Sequence, residues 1–221
     1  MTRALKSERR GPASGGKPKT AVVFVHGYGA DGSDLLGLAD PLGPHLPDTV
    51  FFAPDAPEGC VANPYGFQWF PIPWLDGSSE EQALSVLAAA AEDLNGFLDK
   101  VLAEEGLSPD RLALVGFSQG TMISLHVALR RATPLAGVVG FSGRLMVPEL
   151  LAAEMVSPLP VLLIHGDQDD VVPLSSLSQA ADALVAAGVE TYTHISKGTG
   201  HGIAHDGLSL ALSFLREKLP G

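Results

Sequence analysis

Residues 111–131 constrain what this chain can fold into more tightly than any other stretch. They open with the apolar run 112–115 and close with Met122, Leu125, Ala128 and Leu129 on one helical face. A short apolar run reads as a buried strand, and spacings of three and four read as an amphipathic helix. Between the two stands only Gly116-Phe117-Ser118-Gln119-Gly120, a G-x-S-x-G pattern in the strand–turn–helix setting that it requires. A chain that turns this sharply forces Ser118 into a strained backbone and brings the residues two places on either side too close for side chains. The hydroxyl then points outward, where a base can reach it, and the next amide lies at a helix start.

The rest of the chain is consistent with one α/β domain. Strand-like runs at 21–25, 50–52, 112–115, 136–141, 161–165 and 191–195 alternate with helical stretches, the longest opened by a capping box at Ser78/Glu81 or Ser79/Gln82. Leu84, Leu87, Ala91, Leu94, Leu98 and Val101 give that helix an apolar face. This alternation predicts a mostly parallel central sheet with helices on both faces. Residues 1–19 hold six of the 14 basic residues and one of the 25 acidic ones, with no apolar stretch, and read as a flexible basic tail. Residues 20–221, the single domain, then carry −16, which argues against a nucleic-acid surface. No apolar run is long enough to anchor the chain stably in a membrane. A lone cysteine, Cys60, excludes an internal disulfide and suits a reducing, cytoplasmic setting.

In a parallel sheet, ligands gather at the carboxyl ends of strands. Three polar turns sit there: His26-Gly27-Tyr28-Gly29-Ala30-Asp31-Gly32, Gly166-Asp167-Gln168-Asp169-Asp170 and Gly198-Thr199-Gly200-His201-Gly202. A serine hydroxyl needs a base to take its proton, and the base needs an acid to hold its tautomer. His201 is the base of choice, because His205 falls where the last helix should begin; Asp167, Asp169 and Asp170 all compete for the acid. Two amides must stabilise the oxyanion, that of Gln119 after the serine and one best placed at Tyr28. Such chemistry needs no cofactor. His26 is expected to tie its own loop down. The proline-rich segment 54–77 carries Trp69, Phe70, Ile72 and Trp74, which either wall an apolar acyl pocket facing Val172 or fill the core beneath a long loop.

These motifs, with Phe67-Gln68-Trp69-Phe70 and Val171-Val172-Pro173, together resemble the phospholipase/carboxylesterase family, which includes the acyl-protein thioesterases within the α/β-hydrolases. The resemblance runs from about residue 20 to the end. It implies a triad of Ser118, Asp169 and His201, oxyanion donors at Tyr28 and Gln119, and hydrolysis of a carboxylic ester through an acyl-enzyme. The substrate would be a small ester or, alternatively, an acylated protein or a lysophospholipid. The sequence departs from the family at Thr121, where a second glycine is common.

A rival reading lies in the same turn. Gly27, Gly29 and Gly32 spell G-x-G-x-x-G after a strand, and Asp55 stands where a ribose-binding acid would, so a dinucleotide-binding oxidoreductase is the remote alternative. Metal sites fail on spacing: Val172 replaces the glycine a calcium loop needs, and His201 and His205 lack the glutamate of H-E-x-x-H.

Overall fold

The apolar run at residue 112 forms the middle strand of a seven-stranded sheet in the computed structural model, which describes residues 2–220; the side chain of Trp74 lies outside the described residues. In chain order the elements are β1 (Ser7–Arg10), β2 (Thr20–Val25), α1 (Gly32–Leu36), α2 (Ala39–Leu42), β3 (Thr49–Pro54), β4 (Glu58–Gly59), β5 (Phe67–Gln68), α3 (Pro73–Asp76) and α4 (Glu80–Glu105). Then follow β6 (Leu112–Phe117), α5 (Gln119–Ala128), β7 (Gly137–Phe141), α6 (Leu151–Glu154), β8 (Val161–Gly166), α7 (Ser175–Ala186), β9 (Thr191–Ser196) and α8 (His205–Lys218). The sheet runs β1-β3-β2-β6-β7-β8-β9, and β4 pairs with β5 in a separate ribbon. Every neighbouring pair in the large sheet is parallel except β1 with β3.

Side-chain alternation along β6 divides the core. Leu112 and Leu114 pack with Leu94 and Leu98 of α4 and Ile123 of α5, whereas Ala113 and Val115 pack with Phe214 and Leu215 of α8. Both faces are thereby covered, as a parallel sheet requires. Among the described residues, no helix is long and apolar enough to cross a membrane.

Two expectations need correction. The basic stretch at the N-terminus is not a loose tail throughout, because Ser7–Arg10 forms the sheet's edge strand against Phe51–Pro54. Three of its arginines are partnered: Arg3 Nε donates to the buried Asp93 carboxylate at 2.8 Å, Arg9 Nε to Glu105 at 2.8 Å, and Arg10 pairs with Asp40. Charge on an edge strand is a common means of blocking further strand addition, and here it gives the strand the composition of a tail. On α4, the capping box is Ser79 with Gln82, and Ala83, Leu87 and Ala90 face the core while Leu84 stays 42% exposed.

Candidate active site

Ser118 joins β6 to α5 with φ 53° and ψ −116°, a left-handed setting that strains any residue with a side chain. The spacing argument holds atom by atom. A Cβ on Gly116 would lie 2.6 Å from the Gly120 carbonyl carbon, and one on Gly120 would lie 1.8 Å from Val25 O. Ser118 N donates to Phe141 O at 2.8 Å, fastening the turn to β7. Thr121 does not loosen the packing. Its hydroxyl lies 2.9 Å from Gly116 O and 2.8 Å from Phe141 O, and its side chain occupies the space that Cβ atoms on Gly140 and Gly143 would need.

His201 and Asp169 meet across 32 residues of sequence. His201 Nδ1 lies 2.8 Å from Asp169 Oδ2, so the imidazole donates from Nδ1 and keeps Nε2 for the cleft. Asp169 Oδ1 accepts the amides of Val171 and Val172 at 3.0 and 2.8 Å. Burial pushes this carboxyl up, but the bonds from His201, Val172 and Val171 outweigh it and leave it below the ordinary carboxylate range. His165, at the end of β8, stands 3.3 Å from the same Oδ2 and 2.8 Å from Val172 O, bracing the acid from behind. Asp167 instead accepts Gly198 N, Asp170 lies exposed at the cleft rim, and His205 is exposed at the start of α8.

Ser118 and His201 line one cleft of about 490 Å³, together with Tyr28 and Gln119. The ring of Phe117, the residue before the serine, sits 4.9 Å from the imidazole, centroid to centroid. Gln119 takes the first position of α5, where an amide has no partner inside the helix. Next to Tyr28, Gly29 N donates to Phe67 O and Ala30 N to Gly27 O. Asn63 Nδ2 donates to Gly29 O at 2.7 Å, and Phe67 N to Ala30 O at 2.8 Å, so segment 58–68 clasps the loop. Below it, His26 Nε2 accepts Ala56 N at 2.9 Å while Nδ1 donates to Gly27 O at 2.7 Å; burial lowers its basicity, consistent with a neutral tether. Burial also pushes the Tyr28 phenol up to about 12.

The aromatic segment divides between the two roles. Phe70, Ile72 and Val172 line the cleft, but Trp69 does not. Trp69 is fully buried and its indole Nε1 donates to His26 O at 3.0 Å, so it props the Tyr28 loop from the core. Trp74, the fourth of these candidates, has its side chain outside the described residues. Sequence reasoning missed the Gln119 carboxamide, which accepts Trp69 N at 2.8 Å and donates to Phe70 O at 2.7 Å, locking the cleft wall to the serine turn. It also missed Met122, Met146 and Arg144 in the cleft, and placed Leu84, which lines the mouth, in the core. Met122 alone carried a signal, since it directly follows the turn on α5.

The glycine-rich turn after β2 does not favour a nucleotide. Asp55 Oδ1 accepts Gly32 N at 2.9 Å, so the supposed ribose acid is occupied by the loop itself. Gly66 packs so close that its Cβ would lie 2.0 Å from Gly29 O, covering the turn with protein.

The family described as Phospholipase/Carboxylesterase matches residues 12–219. A solved structure, the crystal structure of esterase PE8, superposes with a TM-score of 0.92 at 44% identity, covering 98% of this chain and all of that one. Acyl-protein thioesterase 1 of Gibberella zeae is 27% identical over 213 residues, 90% of each chain. Esterase YpfH of Escherichia coli is 25% identical over 200 residues, 90% of this chain and 83% of its own.

Proposed function

We propose, from the premise that this chain belongs to the phospholipase/carboxylesterase family of α/β-hydrolases, that it hydrolyses carboxylic esters by way of a covalent acyl-serine. The observation that carries the reading is the strained Ser118 sharing one cleft with His201, whose Nδ1 is committed to Asp169. Ser118 Oγ attacks the ester carbonyl as His201 Nε2 takes its proton, and the amides of Tyr28 and Gln119 receive the charge that develops on oxygen. Asp169 fixes the tautomer and stabilises the imidazolium without taking the proton. His201 then returns the proton to the departing alcohol as the C–O bond breaks. Water, deprotonated by the same imidazole, attacks the acyl group and releases the acid from Ser118.

Acyl-protein thioesterases among the relatives support a second reading, a thioester substrate on the same residues. The apolar walls at Phe70, Ile72 and Val172 suit an acyl chain under either. Matched esters and thioesters of increasing acyl length separate the two by kcat/KM.

The core test is chemical. A fluorophosphonate should add one adduct, on Ser118, and Ser118→Ala should lower kcat for p-nitrophenyl acetate by about 10⁴-fold or more with the fold retained. Turnover that persists in that variant would remove Ser118 from the reaction.

A further inference from the structure

The five inner strands of the large sheet, β2, β3, β6, β7 and β8, hold a single ionisable side chain, His165, which follows the apolar run 161–164 on β8. It is 1% exposed. An imidazole buried among such neighbours costs free energy unless its polar atoms are paired. Its Nε2 lies 2.8 Å from Val172 O and 3.3 Å from Asp169 Oδ2. A main-chain carbonyl can only accept, so Nε2 carries a proton, and that one N–H reaches both oxygens.

The main chain already fixes where the acid and base turns stand. Asp167 N donates to Ser196 O at 3.2 Å and Gln168 N to Thr199 O at 2.9 Å, and a Cβ on Gly166 would lie 2.2 Å from Thr199 O. What these contacts leave open is how much charge the Asp169 carboxylate presents. Its Oδ1 is occupied by Val171 N and Val172 N, whereas Oδ2 meets His201 at 2.8 Å and is the oxygen that His165 approaches. Val172 is gripped at both ends, N by Asp169 and O by His165, and it lines the cleft. One buried ring therefore touches the acid and the turn that carries it.

We propose that His165 is a positioning residue of the triad, whose shared Nε2–H moderates the charge that Asp169 presents to His201. The inference rests on the hydrolase reading above and deepens it. A donor on a carboxylate withdraws part of its charge, so without His165 the imidazolium form of His201 is held more firmly. The sign is the same whatever the charge on the His165 ring. The other ionisable groups around the pair are Tyr28, Glu80, Arg144 and Asp170 along the cleft, Asp167 beneath Gly198, and His194 with Asp206 at β9 and the start of α8. All of them stay in place when His165 alone is changed.

The test is the pH dependence of kcat/KM for p-nitrophenyl acetate. The rate rises as His201 loses its proton, and the midpoint of that rise reads the strength of its partner. In His165→Met the midpoint should move up by about half a pH unit or more. In His165→Gln, whose amide offers a donor at similar reach, the displacement should be less than half as large. A purely structural brace would lower the plateau and leave the midpoint in place. A midpoint in His165→Met within about 0.2 pH unit of wild type, or equal displacements in the two variants, overturns the proposal. The wild type gives a readout that needs no variant to fold. In nitrogen-15-labelled protein the His165 ring should show a proton on Nε2, and its resonance should move with the same midpoint as the kinetic rise, because both rings share Oδ2. A bare Nε2, or a resonance indifferent to that titration, overturns the proposal as well. Turnover by Ser118→Ala would sink the hydrolase reading itself, whereas an unchanged midpoint with turnover lost in Ser118→Ala removes His165 alone.

Discussion

The Gln119 carboxamide offers a sharp test of how the cleft is assembled. It is fully buried and bonds two main-chain groups of one neighbouring segment, the Trp69 N–H and the Phe70 carbonyl. Gln119→Met keeps the volume and leaves both groups without partners in a dry site. Each orphaned group is worth about 1–3 kcal/mol, so the variant should lose roughly 2–5 kcal/mol of stability. For a domain of this size that corresponds to a fall in Tm of about 4–20 °C. Gln119→Glu sharpens the argument. It keeps an acceptor for Trp69 N but turns a carboxylate oxygen toward the Phe70 carbonyl. At neutral pH it should be no more stable than Gln119→Met. Its deficit relative to wild type should shrink on acidification, because a protonated carboxyl regains a donor. Urea unfolding at pH 7 and pH 5 reads both effects. KM for longer acyl esters should rise more than kcat for acetyl esters falls, since Phe70 lines the cleft while the Gln119 main chain is retained. A loss in Gln119→Met below about 0.5 kcal/mol would show that the two groups find other partners, and the reasoning would fail.

Three further outcomes follow from the geometry. His201→Ala should abolish esterase turnover in a kcat assay, whereas His205→Ala, at an exposed helix start, should stay within a few-fold of wild type; the reverse would reassign the base. His126 is held at about 4, first by burial and then by the adjacent Arg130, so the unfolded chain binds a proton there before the folded one does. Stability should therefore decline as pH falls from about 6.5 toward 4, by about 1–3 kcal/mol after allowance for partial exposure, and His126→Gln should show a flatter decline in chemical denaturation. Deleting residues 2–10 should cost about 1–3 kcal/mol, because it strips Arg3 from the buried Asp93 and uncovers the edge of β3; thermal unfolding and light scattering would register both losses.

What could be read from the chain beforehand follows a physical division. The turn at Ser118 was legible because its constraint is local: two glycines, a serine and an apolar run on either side leave one way to turn. The capping pair at Ser79 and Gln82 was legible for the same reason. Strand β1 was not, since what makes Ser7–Arg10 a strand is the β3 ladder more than 40 residues away, and its own residues are those of a solvated tail. Among the candidate residues, spacing alone does not separate Asp169 from Asp167 and Asp170; the family resemblance singled it out, and in three dimensions it is the one of the three that receives His201. Trp69 and Phe70 are adjacent and chemically alike, yet one lies in the core and the other on the cleft, a choice made by the Gln119 bridge and the His26 carbonyl. Arg144 had no local signal, because its place in the cleft depends on which loop the sheet brings beside Ser118.

The clasp of segment 58–68 over the Tyr28 turn has an implication for anyone who would redesign this enzyme. One continuous piece of chain, through Asn63 and Phe67, secures that turn and then runs directly into Phe70 and Ile72. Selectivity and speed are therefore mechanically geared together. If the Tyr28 amide has the role proposed for it, swapping residues along 58–72 to admit a bulkier guest will also nudge the dipoles that greet the reacting oxygen. Screens that score only which compounds are accepted will harvest slow catalysts, and recovering pace will demand compensating changes on the Gly29–Ala30 side of the clasp.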